Sequence, residues 1–232
     1  AHYDNKWGTV MKENNLVITG MGAVTPVGIG VSEYWNALKE GTCGVGKITR
    51  FDAAEMPVQI AAELKDFDPT AYMPKTLART MDPFMQFAFI AAEQAIADSG
   101  LCIESESDRV GIVMGTAMDG VTTVAQTQAA FDEGKRVGPR FVPMTIGNIA
   151  AAQIAIAHGI HGPSLTLNTA CSAGGDAIMT ATMLHKEYGM TRSPWYSIGA
   201  YTAATLTGLS RQMNNKHWLS DVLVGAGIGI LS

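Results

Sequence analysis

The chain has 232 residues, of which 47% are hydrophobic and 16% charged, and its formal net charge is -5. This apolar content suffices for a sizeable core and excludes disorder as the main state, and the acidic balance argues against a nucleic-acid-binding face. Cys43, Cys102 and Cys171 are odd in number and form no CxxC pair, so neither a disulfide scaffold nor a zinc site is expected. A reducing, cytoplasmic compartment is favoured.

Strand-like and helix-like runs alternate along the first part of the chain. A β-branched run predicts a buried strand over residues 16–19. Ser32 is a predicted cap for a helix over 33–40 that ends at Gly41, and residues 58–64 form a second predicted strand.

The same alternation continues through the middle of the chain. Apolar spacing predicts a helix over 82–98, with Asp82 at its start and Gly100 just past its end. Residues 110–114 and 165–167 are predicted strands. The β-then-α rhythm predicts an α/β layered fold.

Residues 141–175 contain no charged side chain. Pro143, Gly147, Asn148 and Pro163 interrupt this stretch, so a buried helix and strand fit better than a membrane span.

Residues 168–175 read Asn-Thr-Ala-Cys-Ser-Ala-Gly-Gly, where a strand ends and small residues lead into a helix. At a helix N-terminus the dipole favours the thiolate of Cys171, which is the nucleophile in covalent catalysis. Backbone N–H groups there are candidate donors to a developing oxyanion. The alternative is a buried cysteine that acts as a small apolar residue.

Residues 15–178 resemble the elongating β-ketoacyl-acyl carrier protein synthases of fatty acid and polyketide synthesis. The matching segments occur in the family's order, at 17–28, 34–38, 48–52, 81–84, 97–100, 141–144, 161–164 and 168–175. The resemblance implies the N-terminal half of a thiolase-like fold, which contains two similar α/β halves. It also implies a homodimer that pairs through the strand before the cysteine, with no cofactor or metal.

The same resemblance assigns roles to two residues. Cys171 matches the acyl acceptor, which takes an acyl group from acyl carrier protein or coenzyme A before a malonyl thioester decarboxylates and attacks it. Met118 matches a gate of the acyl pocket, with ordinary core filling as the alternative.

The family's condensation step needs two histidines from its second half, and the chain has no His-Gly-Thr-Gly-Thr segment. His158 and His161 are predicted to be structural. The sequence therefore predicts acyl transfer with condensation lost through truncation.

Residues 210–221 read S-R-x5-H-x3-D, and residues 179–232 resemble a fragment of the type 2 phosphatidic acid phosphatases. In that family's pattern His217 attacks phosphorus, Asp221 orients it and Arg211 binds phosphate oxygens. The alternative is a polar turn between helices. The tail is predicted to be mainly helical, and charge-free residues 193–210 leave open a membrane helix or a buried one.

The predicted organisation is a leader or expression remnant over 1–14, a truncated condensing-enzyme domain over 15–178 and a phosphatase-like fragment over 179–232. Residues 1–176 hold 12 Lys and Arg against 19 Asp and Glu, whereas residues 177–232 hold 4 against 2, which favours a boundary. Three functions stay open: a cysteine acyltransferase, a phosphomonoesterase with a histidine nucleophile, and a non-catalytic chimera.

Overall fold

The structure, a computed structural model, describes residues 17–184. The described strands are β1 (Val24–Thr25), β2 (Gly28–Ile29), β3 (Val45–Lys47), β4 (Ile60–Ala62), β5 (Ile112–Gly115) and β6 (Ser164–Leu167). The described α-helices are α1 (Val31–Glu40), α2 (Lys75–Ala78), α3 (Pro83–Ser99), α4 (Ile103–Glu106), α5 (Val121–Asp132), α6 (Phe141–Thr145), α7 (Asn148–His158) and α8 (Ala173–Leu184). Short 3₁₀ turns lie at Pro69–Ala71 and Ala170–Ser172.

Strands β5 and β6 form a parallel pair that lies between two helical layers. Ile112 and Met114 belong to a buried cluster with residues of α3 and α7, whereas Val113 packs with Ala177 and Ala181 of α8. Successive side chains of a strand point to opposite faces, so β5 contributes to both cores. The alternation predicted from the sequence is thus a layered α/β arrangement.

Helix α3 confirms the prediction for residues 82–98. Asp82 accepts a hydrogen bond from the backbone N–H of Phe84 (3.3 Å), Pro83 takes the first helical position and Gly100 ends the helix at φ 65°. The other carboxylate oxygen of buried Asp82 accepts from the Thr123 backbone (2.8 Å) and hydroxyl (2.6 Å). The cap therefore also ties α3 to α5.

The strand predicted over residues 16–19 is wrong for the part that the structure describes. Residues 20–23 follow α3 instead, where the Met21 N–H donates to Asp98 (3.0 Å) and the Ala23 N–H to Gln94 (2.9 Å). A Cβ at Gly22 would collide with the carbonyl of Ala91. Close packing on the helix supplies the hydrogen-bond partners that a neighbouring strand would otherwise supply.

Three further boundaries differ from the prediction. Helix α1 begins at Val31, so Ser32 lies inside the helix. The N-cap residue is Gly30, which has no side chain to accept a capping hydrogen bond. The Glu33 carboxylate instead accepts from the Ile29 N–H (3.1 Å). Of residues 58–64, only Ile60–Ala62 pair with β3, and β5 begins two positions later than predicted.

Helix α8 runs without a break past residue 178. No helix between residues 17 and 184 is long and apolar enough to cross a membrane. The leader predicted over 1–14, residues 185–232 of the predicted helical tail and the charge-free run 193–210 lie outside the described residues.

Candidate active site

Cys171 lies at the junction between a parallel strand and a helix. β6 ends at Leu167, the 3₁₀ turn Ala170–Ser172 carries the cysteine, and α8 starts at Ala173. The residue is exposed, which rules out the alternative of a buried structural cysteine. Cys43 and Cys102 are exposed too, so position in the fold distinguishes Cys171, not exposure.

The residue before the cysteine has a strained backbone. Ala170 has φ 50°, a left-handed conformation that residues with a Cβ seldom adopt. Such a conformation costs about 1 kcal/mol or more and persists only where the surrounding structure imposes it. Sharp strand-to-helix turns with this kind of strain hold the nucleophile exposed in other enzymes.

The carboxylate of Asp176 holds this turn from the first part of α8. Its Oδ2 accepts hydrogen bonds from the hydroxyls of Thr169 (2.5 Å) and Ser172 (2.8 Å), which stand on either side of Cys171. An acidic side chain is also favourable near the positive end of a helix dipole. Asp176 therefore stabilises both the helix start and the turn that presents the thiol.

The turn uses two of the backbone donors that the sequence suggested for an oxyanion. The Ser172 N–H points to the carbonyl of Thr169 (3.3 Å), and the Ala173 N–H to that of Ala170. In the described conformation these two groups serve the turn.

Met118 follows β5 in the same way that Cys171 follows β6. The strands pair in register with Gly115 opposite Leu167, so the two loops start side by side at the carboxyl edge of the pair. Met118 is 56% exposed, so it does not fill the core. It lines a cleft of about 510 Å³ together with Phe84, Phe87 and Met114, and Cys171 is not among the lining residues.

The two loops are joined by Asp119. Its carboxylate accepts a hydrogen bond from the Asn168 side-chain amide (3.0 Å) and another from the Thr116 hydroxyl (2.6 Å). Two sequence-predicted site residues, Met118 and Cys171, therefore lie on loops that one carboxylate connects.

A buried carboxylate lines the same cleft. Burial would raise the pKa of Glu63, but hydrogen bonds from the Thr49 hydroxyl (2.7 Å) and from the backbone N–H groups of Thr49 and Arg50 outweigh this. The pKa of Glu63 is therefore held below its usual value, so the carboxylate is ionised at neutral pH.

The two described histidines have carboxylate partners. His158 Nε2 lies 2.6 Å from Glu93 Oε1 and joins α7 to α3, and His161 Nδ1 lies 3.2 Å from Asp108 Oδ1. Neither is hydrogen-bonded to a group of the Cys171 turn, and the structural role given to them from the sequence stays a prediction.

Arg211, His217 and Asp221 lie outside the described residues. Within residues 17–184, no cluster of three or more His, Cys, Asp or Glu side chains is arranged to hold a metal ion.

Sequence reasoning passed over Asp119, Asn168 and Asp176 as functional residues. A signal for Asp176 existed, because it is the first charged side chain after the charge-free stretch 141–175. Asp119 has a weaker signal, as a carboxylate in a short turn between a buried strand and a helix. Its partner Asn168 is 49 residues away, so only the fold reveals the pair.

Comparison with known families gives a match over residues 13–188, to the model described as Beta-ketoacyl synthase, N-terminal domain. The chain is 40% identical over 177 residues to 3-oxoacyl-[acyl-carrier-protein] synthase 2 of Synechocystis sp., which covers 75% of this chain and 42% of that protein. It is 41% identical over 167 residues to the protein of the same name from Coxiella burnetii, covering 71% of this chain and 40% of that one.

Solved structures agree with this match. A Beta-ketoacyl synthase from Burkholderia phymatum STM815 superimposes with a TM-score of 0.64 at 28% identity, covering 74% of this chain and 43% of that one. The ishigamide ketosynthase/chain length factor gives a TM-score of 0.63 at 25% identity, over 72% of this chain and 43% of that one. The chain thus spans about two fifths of the length of the relatives that it matches.

Proposed function

We propose that this chain, which belongs to the β-ketoacyl synthase family through its N-terminal domain, accepts an acyl group on Cys171 from a thioester. The acyl donor is a thioester of acyl carrier protein or coenzyme A, and the process served is fatty acid or polyketide synthesis. The relatives' printed name, 3-oxoacyl-[acyl-carrier-protein] synthase 2, supports the carrier protein as partner.

One observation carries the proposal: an exposed thiol follows a strained residue at the carboxyl edge of a parallel strand pair. Cys171 stands directly after Ala170, whose φ is 50°, and directly before α8. Two hydroxyls beside the cysteine are held by Asp176, so the turn has a defined shape. A group on such a turn meets an incoming thioester from solvent without rearrangement of the strands.

The chemical step is a thioester exchange. The Cys171 thiol gives its proton to solvent, and its sulfur attacks the acyl carbonyl carbon to form a tetrahedral intermediate. A new carbon–sulfur bond to Cys171 forms, the carbon–sulfur bond to the carrier breaks, and the released carrier thiolate takes up a proton. No oxidant, reductant or metal is consumed.

The condensation with a malonyl thioester that follows acylation is proposed for the whole enzyme and not for these 232 residues by themselves. Histidines that match the family's pattern are absent from the 232 residues, so acylation is the part proposed for this chain. Met118 is proposed as the gate beside the acyl group, supported by its exposure on the loop next to that of Cys171. The homodimer stays a prediction.

The test is acylation of the purified chain by a synthetic acyl-pantetheine thioester, followed by peptide mass spectrometry. The acyl group is expected on Cys171, and Cys171→Ser is expected to abolish it. Cys43→Ser and Cys102→Ser are matched controls because both cysteines are exposed. Equal acylation of all three cysteines, or acylation that survives Cys171→Ser, would overturn the proposal.

A further inference from the structure

We propose that Asp119 is a positioning residue that fixes where Met118 stands relative to Cys171 and thereby limits the length of the chain that Cys171 accepts. This inference rests on the proposed function, because it treats Cys171 as the site that takes an alkyl or acyl group. Neither the family match nor the names of the relatives assigns a role to Asp119.

The two oxygens of the Asp119 carboxylate have separate partners on separate loops. Oδ1 accepts from the Thr116 hydroxyl (2.6 Å), which belongs to the loop after β5. Oδ2 accepts from the Asn168 amide (3.0 Å), which belongs to the loop after β6 that leads to Cys171. Hydrogen bonds with an ionised acceptor are stronger than those between neutral groups.

A third segment presses against the same carboxylate. A Cβ at Gly147 would collide with both oxygens of Asp119, so the start of α7 leaves the carboxylate no room to move in that direction. Asp119 is thus enclosed by its own loop, the cysteine loop and the residue before α7.

Met118 precedes Asp119 within the short connection 116–120. This connection is held at its start, where the Thr116 N–H donates to the Leu167 carbonyl (2.9 Å), and at its end, where Gly120 at φ 58° begins α5. The Asp119 bonds fix its middle. A connection held at three points restricts the backbone position of the exposed Met118, and the Asp119–Asn168 bond ties that connection to the loop that carries Cys171.

The hydrogen bond between Asp119 and Asn168 can be broken and restored by substitution. In Asp119→Asn, the side-chain oxygen keeps the Thr116 bond, whereas the contact with Asn168 loses its ionised acceptor and re-forms a hydrogen bond only when the Asn168 amide rotates to present its oxygen. The exchange Asp119→Asn/Asn168→Asp places the amide on one loop and the carboxylate on the other. It restores both bonds without changing the net charge relative to the parent.

The experiment uses the full chain with Cys43→Ser and Cys102→Ser, so that Cys171 is its remaining thiol. Methyl and octyl methanethiosulfonate modify a thiol without enzymatic catalysis: a disulfide to the alkylthio group forms and methanesulfinate leaves. The readout is the ratio of the octyl to the methyl rate at Cys171. A ratio within one chain cancels changes in overall thiol reactivity.

We expect this ratio to rise about threefold or more in Asp119→Asn and in Asn168→Ala, since each loses one charge-assisted hydrogen bond. We expect the double exchange to return the ratio to within about twofold of the parent. Asp132→Asn is the control, because Asp132 also accepts one side-chain amide bond, from Gln128 (2.8 Å), on the exposed end of α5. Its ratio is expected to equal the parent's.

An unchanged ratio in both single variants would overturn the inference, and so would a raised ratio that the double exchange does not lower. Asn168→Ala keeps Asp119 intact, so it still decides the matter if Asp119→Asn does not fold. Thioester acylation of the parent is measured separately. If the variants raise the ratio but the parent takes no acyl group, the proposed function is refuted and Asp119 remains a positioning residue.

Discussion

The hydroxyl of Thr169 donates a 2.5 Å hydrogen bond to Asp176, so a residue before Cys171 and a residue of the helix after it are joined across the cysteine. The same carboxylate oxygen also accepts from Ser172. Because Ala170 holds a left-handed conformation between Thr169 and Cys171, this bond closes the turn that imposes the strain. The shape of the site is therefore maintained by a carboxylate that is not itself the proposed nucleophile.

Asp176→Ala is expected to slow acylation of Cys171 several-fold and to lower the free energy of unfolding by about 0.5–1.5 kcal/mol. The turn loses two hydrogen bonds, although both freed hydroxyls can bond water. Urea unfolding and acyl-pantetheine labelling measure the two effects. Asp132→Ala is the control, and equal acylation rates in both variants would contradict the role given to Asp176.

Ala170→Gly is expected to keep or raise stability, by up to about 1 kcal/mol, because glycine adopts positive φ without steric cost. Ala170→Val is expected to lower the free energy of unfolding by about 1 kcal/mol or more, since a β-branched side chain tolerates a positive φ worst. The control Ala125→Gly, in the interior of α5, should be destabilising. A loss of stability in Ala170→Gly as large as in the control would argue against the strained turn.

His158→Ala is expected to lower the free energy of unfolding by about 1 kcal/mol, because it removes the link to Glu93 between α7 and α3. Alkylation of Cys171 by iodoacetamide should keep its rate. His161→Ala serves as control, since its ring is 67% exposed and its partner Asp108 is 86% exposed. A large fall in the alkylation rate of the His158 variant would give this histidine a place in the chemistry.

The lowered pKa of Glu63 predicts that the free energy of unfolding depends on pH. Its pKa is held below the usual value of 4.5, so its contribution is present above that pH and is lost as the pH falls through the lowered folded-state value. Urea unfolding between about pH 6 and pH 3 should show a smaller loss of stability in Glu63→Gln than in the parent. Glu55→Gln, an exposed glutamate, should keep the parent's slope. Identical slopes in all three chains would refute this.

The 232-residue chain alone is expected to acylate itself without making a β-ketoacyl product from a malonyl thioester. The two histidines of the family's condensation step have no match in its sequence, and general acid–base groups contribute about 10²–10⁴-fold each. Product analysis by mass spectrometry after incubation with acyl and malonyl thioesters of carrier protein measures this. Formation of the β-ketoacyl product would mean that other groups of the chain replace the histidines.

Local signals in the sequence determined much of the fold. Asp82, Pro83 and Gly100 delimit α3 because caps and helix ends depend on residues next to one another. A short apolar run predicted β5, and small residues after a strand predicted that Cys171 precedes a helix. Residues 17–19 show the limit of such signals, because their β-branched pattern has no strand partner among the described residues, and Val17 and Ile18 are exposed.

Only the tertiary structure decided which side chains connect the loop of Met118 with the loop of Cys171. Asp119 meets Asn168 because β5 and β6 are adjacent in register, although α5, α6 and α7 separate them along the chain. Periodicity describes which face of an element is buried, whereas a hydrogen bond between two loops depends on how the elements are placed in space. The sequence, with its family resemblance, therefore supplied Cys171 and Met118 as candidates, and the packing of parallel strands determined that one carboxylate joins their loops.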